Sequence, residues 1–278
     1  MSYGNCMKGV VFAGIVVSAI WLVTAQITGT PQDEASPNAT DISTMTTPAK
    51  PHLPSYDVAP GMQRAAAAEK RVKAPLSAAL KEKNLTWGDP LFIRAFKEEG
   101  ILEVFLLDQK TQRFQLFRTY PIAKQSGSLG PKQWQGDSQV PEGFYVASNH
   151  SLKCDSAFHL AINIGYPNEY DRSLQRTGDY IMIHGNCVSI GCLAMTDEKI
   201  EEIYSLIHAS LAQGQAYVRI HIFPFRMTEE RMKLAEQDQW FTFWKMLKVG
   251  YDSFEANGLP ATTRVENQTY LFTPATKP

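Results

Sequence analysis

The segment YIMIHGNCVSIGCLAM, Tyr180–Met195, decides how this chain is read. Its first residues, Tyr180–His184, read as a short β-strand that ends on a histidine. Cys192 follows eight residues later, after a glycine-containing turn and just before a helix. Loops at strand ends, held by a rigid scaffold, are where reactive groups usually sit. A thiol attacks only as its thiolate, and a nearby imidazole can take its proton. Gly191 lets the backbone turn tightly before Cys192 and aim amide N–H groups that stabilise an oxyanion. A lone His with a lone Cys is more often structural, because buried Cys is common. The pair alone therefore leaves a nucleophilic site and simple packing both open.

Downstream, the pattern predicts a helix. Thr196 reads as its N-cap, with Asp197 and Glu198 in the first turn to suit the helix dipole. Ile200, Ile203, Ile207 and Leu211 form an apolar stripe, and Gln213-Gly214 closes it. Upstream, Leu91–Phe96, Ile101–Leu107 and Phe114–Tyr120 read as strands of an antiparallel meander, with Lys97–Gly100 and Asp108–Gln112 as polar turns. Ser126–Ser148 reads as a Gly-rich loop. Its glycines precede no helix, so a phosphate-cradling role is a poor reading. Phe158–Ile164, Tyr180–His184 and Ala216–Phe223 form a second strand set, with His221 on its polar face. The aromatic residues Trp240, Phe241, Phe243, Trp244, Tyr251 and Phe254 read as packing against the domain.

The N-terminal part has a different character. Gly9–Ala25 is an apolar run of 17 residues behind Lys8, which marks export. A cleavable signal peptide and a retained membrane anchor both fit this length. Six prolines with many Ser and Thr over Gly29–Gly61 read as an extended linker. The predicted organisation is an export segment over 1–25, a linker over 26–61, a helical lead-in over 62–84, a catalytic domain over 85–225 and a C-terminal extension over 226–278. The lead-in's charges (RAAAAEKR) read as a solvated face. Across all 278 residues Lys plus Arg is 27 and Asp plus Glu is 28, so a basic nucleic-acid surface is not expected. Four cysteines are too few for a disulfide scaffold.

The full string is more specific than its His and Cys. His184, Gly185, Cys187, Ser189, Gly191, Cys192, Ala194 and Met195 match the pattern HG-x-C-x-S-x-G-C-x-A-M. This resembles the YkuD-type L,D-transpeptidase catalytic domain, in its YafK-like branch. Gly136-Asp137 with Val140-Pro141-Glu142-Gly143-Phe144-Tyr145 resembles a second family segment. His159-Leu160, Ile164–Asn168, Asp171-Arg172 and Pro224–Thr228 resemble further pieces of the branch. The resemblance runs over about Leu85–Phe254, about 60% of the chain.

The resemblance implies an α+β fold, mainly β: a β-sandwich of L,D-transpeptidase type, with a helix after the cysteine and a C-terminal helical, aromatic extension. It implies an exported cysteine acyltransferase or amidase that cleaves peptidoglycan stem peptides at meso-diaminopimelate through a thioester. Carried over by position, Cys192 is the nucleophile and His184 the general base, then acid. The Gly185 carbonyl orients the imidazole, the Gly191 and Cys192 amides form the oxyanion hole, and Ser189 shapes the turn. His159, Tyr166 and Asn168 are candidates for the substrate groove. No cofactor and no metal is expected. The implied partners are stem peptides and a peptidoglycan-linked lipoprotein, in the periplasm or on the inner membrane through residues 9–25.

The chain also departs from the family. Many relatives carry His where Ile190 stands and Arg where Ala194 stands, and their His-to-Cys separation is longer. Val140 stands where Thr is commoner. The acceptor is therefore open: an amine, or water in a hydrolase that detaches lipoprotein or terminal residues. Two readings of other classes stand beside these: an inactive murein-binding domain, and a structural zinc module from His184, Cys187, Cys192 and either Cys154 or His159. The zinc reading lacks the paired C-x2-C spacing. Cys192 is expected as a free thiol, with Cys187 able to pair with it or with Cys154.

Overall fold

The computed structural model describes residues 61–273. The export segment and all but the last residue of the linker lie outside the described residues. Helix α1, Gly61–Glu82, comes first. Strands β1 (Leu91–Phe96), β2 (Ile101–Asp108) and β3 (Arg113–Pro121) then form the expected antiparallel meander.

Strand β1 shows why the local sequence reads as it does. All six of its residues are buried, because both faces of its sheet are covered. Leu91, Ile93 and Ala95 enter the main core, whereas Phe92 and Phe96 enter aromatic clusters on the opposite face. Strand β4, Gly143–Ala147, lies in the stretch read as a Gly-rich loop. Its five residues were too few to stand out among the glycines. Ala216–Phe223, read with the second strand set, instead supplies β9 of the first sheet; here we write it as Val218–Phe223. It runs parallel to β1 and antiparallel to β4, giving the order β3-β2-β1-β9-β4. A parallel partner about 125 residues away in sequence leaves no local signal.

The second sheet is small: β5 (Leu152–Lys153), β6 (Ala161–Asn163), β7 (Met182–His184) and β8 (Leu193–Ala194), in that order. A five-residue helix α2, Glu169–Ser173, separates β6 from β7. Helix α3, Asp197–Ala212, touches β1, β6 and β7, and so joins the two sheets. Its stripe Ile200, Ile203, Ile207 and Leu211 is buried as predicted. Thr196 does occupy the N-cap, but with φ +77° and no side-chain capping bond. Asp197 instead accepts from the Asn186 amide at 2.7 Å, tying the helix start to the loop after His184. Among the described residues no helix is long and apolar enough to cross a membrane.

Helix α1 packs Ala68, Val72, Leu76 and Leu80 into the main core against α3. Its charges are more than a solvated face: Arg64 and Arg71 bond to named groups of the domain. At the other end come α4 (Glu229–Leu234), α5 (Phe241–Asn257) and the hairpin β10 (Thr262–Glu266) and β11 (Thr269–Thr273). Phe243, Trp244, Leu247 and Tyr251 of α5 meet Phe96, Phe144, Phe223 and Tyr270 in one aromatic cluster. This is the C-terminal helical, aromatic extension that the resemblance implied.

Two buried polar groups correct the local reading. Lys97, read as part of a polar turn, is 5% exposed. Its ammonium donates to Gly130 O, Val140 O and Glu142 Oε1 at 2.7, 2.9 and 2.9 Å. Glu142 also accepts from the Gly130 amide and from Trp244 Nε1, at 2.7 and 2.8 Å. His221, read on a polar face, is buried between the rings of Phe92 and Phe144, each 4.7 Å away.

Burial, with the charges of Arg219 and Arg94, holds the His221 imidazole well below its ordinary range. The neutral ring is therefore favoured by folding. Its contribution is complete above the unfolded value near 6.5 and is lost as pH falls from there toward the folded value. We expect a loss of about 1–2 kcal/mol between pH 6.5 and 5. Urea denaturation of the parent chain and of His221→Leu across that range checks this. The variant should show the flatter slope, and parallel slopes would refute the assignment.

Candidate active site

The parallel pairing of β7 with β8 builds the site. Ile183 pairs with Leu193 and His184 with Ala194. One step earlier, the Met182 amide donates to Cys192 Sγ at 3.4 Å. With side chains alternating between faces, Cys192 and His184 lie on one face, displaced by two positions. The loop between them is held by its own side chains. Ser189 Oγ donates to Cys192 O at 2.7 Å and accepts from the Cys192 and Gly191 amides at 3.1 and 3.3 Å. Ser189 thus closes the turn, and both amides expected to face an oxyanion point at its hydroxyl in this state.

Two glycines are required by close approach. A Cβ on Gly185 would lie 2.5 Å from Asp197 Oδ1 and 2.7 Å from Phe158 O. Gly191 has φ +123°, and the Gln139 carbonyl approaches its Cα side to 3.3 Å of where a Cβ would stand.

His184 is 2% exposed, and its Nδ1 lies 2.6 Å from the Gly185 carbonyl. A carbonyl only accepts, so Nδ1 carries the proton and Nε2 keeps its lone pair. Burial lowers the imidazole's pKa, opposed by the Gly185 bond. Burial pushes the Cys192 thiol up, opposed by the Met182 amide and the Lys132 charge. Both directions favour a neutral imidazole beside a neutral thiol at rest. Among the described residues no hydrogen bond joins His184 to Cys192. Such bonds are often long without substrate and tighten when it binds. Cys192 and Cys154 carry free thiols. Among the described residues no group of three His, Cys, Asp or Glu side chains is placed to hold a metal ion.

The other candidates fall in different places. His159 does not alternate along a strand; it precedes β6 with φ +68°. Its Nε2 lies 2.8 Å from Glu201 Oε1, an ion-pair geometry. Burial opposes ionisation of Glu201, but Arg71 and His159 hold its carboxyl below the usual range. Tyr166 is buried, its hydroxyl donating to Lys132 O and Thr177 O at 3.3 Å each. It also borders a cleft of about 460 Å³ with His150, Lys153, Arg172 and Tyr180. The carbonyl of Tyr180, one of the residues that line it, lies 3.7 Å from Cys192 Sγ. Asn168 caps α2, accepting from the Asp171 amide at 2.9 Å and donating to Tyr270 Oη at 2.7 Å. Its side chain serves the fold.

Three residues escaped the sequence reading. Lys132 is 3% exposed, pairs with Asp137 at 2.6 Å and brings a positive charge to the thiol's surroundings. Phe158 lies against the His184 ring, centroids 4.8 Å apart. Glu201, beside the apolar stripe of α3, receives Arg71 and His159. The Gly136-Asp137 motif was the one local hint, and it pointed to Asp137 without its partner.

Residues 101–221 match the YkuD family, described as the L,D-transpeptidase catalytic domain. The chain is 47% identical over 184 residues to "Putative L,D-transpeptidase YafK" of Escherichia coli (strain K12), covering 66% of this chain and 74% of that protein. The protein of the same description from Escherichia coli O157:H7 gives the same values. Among solved structures, the helical cell shape determining protein Pgp2 of Campylobacter jejuni aligns with a TM-score of 0.38 and 18% identity. That alignment covers 73% of this chain and 90% of Pgp2.

Proposed function

Because the chain belongs to the YkuD L,D-transpeptidase family, we propose that it is an exported cysteine acyltransferase of peptidoglycan, with Cys192 as nucleophile and His184 as base and then acid. The observation that carries this is the His184 ring: Nδ1 is tied to Gly185 O, which leaves Nε2 to accept a proton on the face that holds the thiol. The substrate is a stem peptide opened at the amide after meso-diaminopimelate.

The thiol proton passes to His184 Nε2 as sulfur bonds to the carbonyl carbon. Negative charge gathers on the carbonyl oxygen. The Gly191 and Cys192 amides turn to it from Ser189, exchanging long bonds of 3.3 and 3.1 Å for charge-assisted ones. As the C–N bond breaks, His184 returns the proton to the leaving amine, and a thioester remains on Cys192. An acceptor then attacks the thioester while His184 takes its proton, and the thiol is released.

The alternative acceptor is water. Ile190 is 82% exposed and Ala194 fully buried, so two polar groups that many relatives set near the cysteine are missing here. Hydrolysis would make the enzyme an amidase that releases lipoprotein or terminal residues from peptidoglycan. The cleft beside Tyr180 supplies an approach for the stem peptide. Export through residues 9–25, with cleavage or anchoring, belongs to the same reading and places the enzyme in the periplasm.

The test is incubation of the protein with muropeptides containing meso-diaminopimelate, followed by mass spectrometry. We expect a thioester on Cys192; crosslinked dimers then mark an amine acceptor, and released fragments mark water. Binding with no adduct would replace the enzyme with a murein-binding module.

A further inference from the structure

We propose that Phe158 is a positioning residue for the His184 imidazole, and that helix α1 sets it in place through Arg64 and an Arg71–Glu201–His159 chain. This rests on the reading of His184 as the base. The two rings lie 4.8 Å apart with an interplanar angle of 31°. Phe158 is 41% exposed, whereas His184 beneath it is 2% exposed. Phe158 is therefore the outer cover of the imidazole rather than part of the core.

The backbone under Phe158 is fixed on both sides. Arg64 Nη1 donates to Ser156 O at 2.9 Å and to His159 O at 2.5 Å, bracketing Phe158. Ser156 Oγ accepts from the Phe158 amide at 3.0 Å. His159 holds φ +68°, a conformation that costs a non-glycine residue and persists only where neighbours impose it. The neighbour is Glu201, which accepts from His159 Nε2 at 2.8 Å and from Arg71 Nε at 2.9 Å. The Phe158 carbonyl and His159 Cβ also stand where a Gly185 Cβ would be, at 2.7 and 3.0 Å. The segment thus presses on the very residue whose carbonyl orients Nδ1 of His184.

Phe158 does two things in this arrangement. It limits rotation of the imidazole about its single hydrogen bond, and it keeps water from the ring. Ionisable groups on the elements next to the ring include Cys192 on the paired strand, Asp197 and Glu201 on α3, and His159 on the preceding segment. Glu201 is already engaged by Arg71 and His159, and Asp197 by the Asn186 amide. Removing Phe158 therefore changes hydration of the imidazole more than its charged surroundings.

The experiment pairs an NMR titration of the His184 ring with the pH profile of turnover, in Phe158→Ala, Phe158→Tyr and Arg64→Ala. In Phe158→Ala we expect the ring to titrate closer to the ordinary value of about 6.5. The acid limb of turnover should move with it, and kcat should fall about tenfold with little change in KM. Phe158→Tyr should restore both, and Arg64→Ala should move both part of the way. Phe158 is exposed enough that its loss should leave the fold intact, which a melting curve confirms. An unmoved His184 titration in Phe158→Ala overturns the inference, whatever turnover does. A shifted titration with an unshifted turnover profile would support the contact and overturn His184 as the base.

Discussion

Cys192→Ala should lower turnover on muropeptides at least about a thousandfold, because the proposed thioester forms on the sulfur it removes. The variant should remain folded. Its cost is the loss of the acceptor for the Met182 amide, on the order of 1 kcal/mol. Cys192→Ser separates the two effects. The hydroxyl keeps an acceptor near Met182 N, so stability should return. Activity should not, because a serine proton is far harder for a single imidazole with a lowered pKa to remove. Steady-state rates together with melting curves give both quantities. Turnover in Cys192→Ala close to the parent rate would exclude the covalent route.

The largest effect on stability is expected in Glu142→Ala. Glu142 is fully buried and receives Lys97, the Gly130 amide and Trp244 Nε1. Removing it leaves a buried ammonium and two N–H groups without their acceptor, a loss of about 3–5 kcal/mol. Burial already pushes the Lys97 pKa down, opposed by Glu142. Without that carboxylate the ammonium is driven further toward its neutral form. The folded value then lies well below the unfolded one, so the variant should gain stability as pH rises toward the ordinary lysine range. Replacing both partners, as Lys97→Met with Glu142→Leu, should recover much of the loss. Urea unfolding at pH 7 and pH 9 measures this. A Glu142→Ala loss below about 1 kcal/mol, or one independent of pH, would mean that Lys97 finds another partner.

These two residues also mark where sequence reading succeeds and where it stops. The meander β1–β3 and the stripe of α3 were legible because burial and period coincide locally. The His184 and Cys192 motif was legible as a string, although the string alone does not say that β7 and β8 run parallel. Lys97 looked like a turn residue, since its carboxylate lies 45 positions later. His159 reads as a strand residue, because a left-handed backbone held by a hydrogen bond to a distant carboxylate leaves no periodic trace. Strand β9 was found as a strand but assigned to the wrong sheet, and β4 was lost among glycines. In each case the deciding partner is distant in sequence and belongs to another element.

The ladder between β7 and β8 has a consequence for how such a site can change over time. His184 and Cys192 are placed by backbone register, with Ala194 opposite His184. Within the segment 185–191, Gly185 orients the imidazole and Ser189 with Gly191 closes the turn at Cys192, so any change of length is confined to the stretch between Gly185 and Ser189. Residues can then be gained or lost between the two reactive groups while the groups themselves stay where they are. A change of loop length that respects this pairing leaves the two groups in place, and the strand pairing is the part that inheritance has to keep.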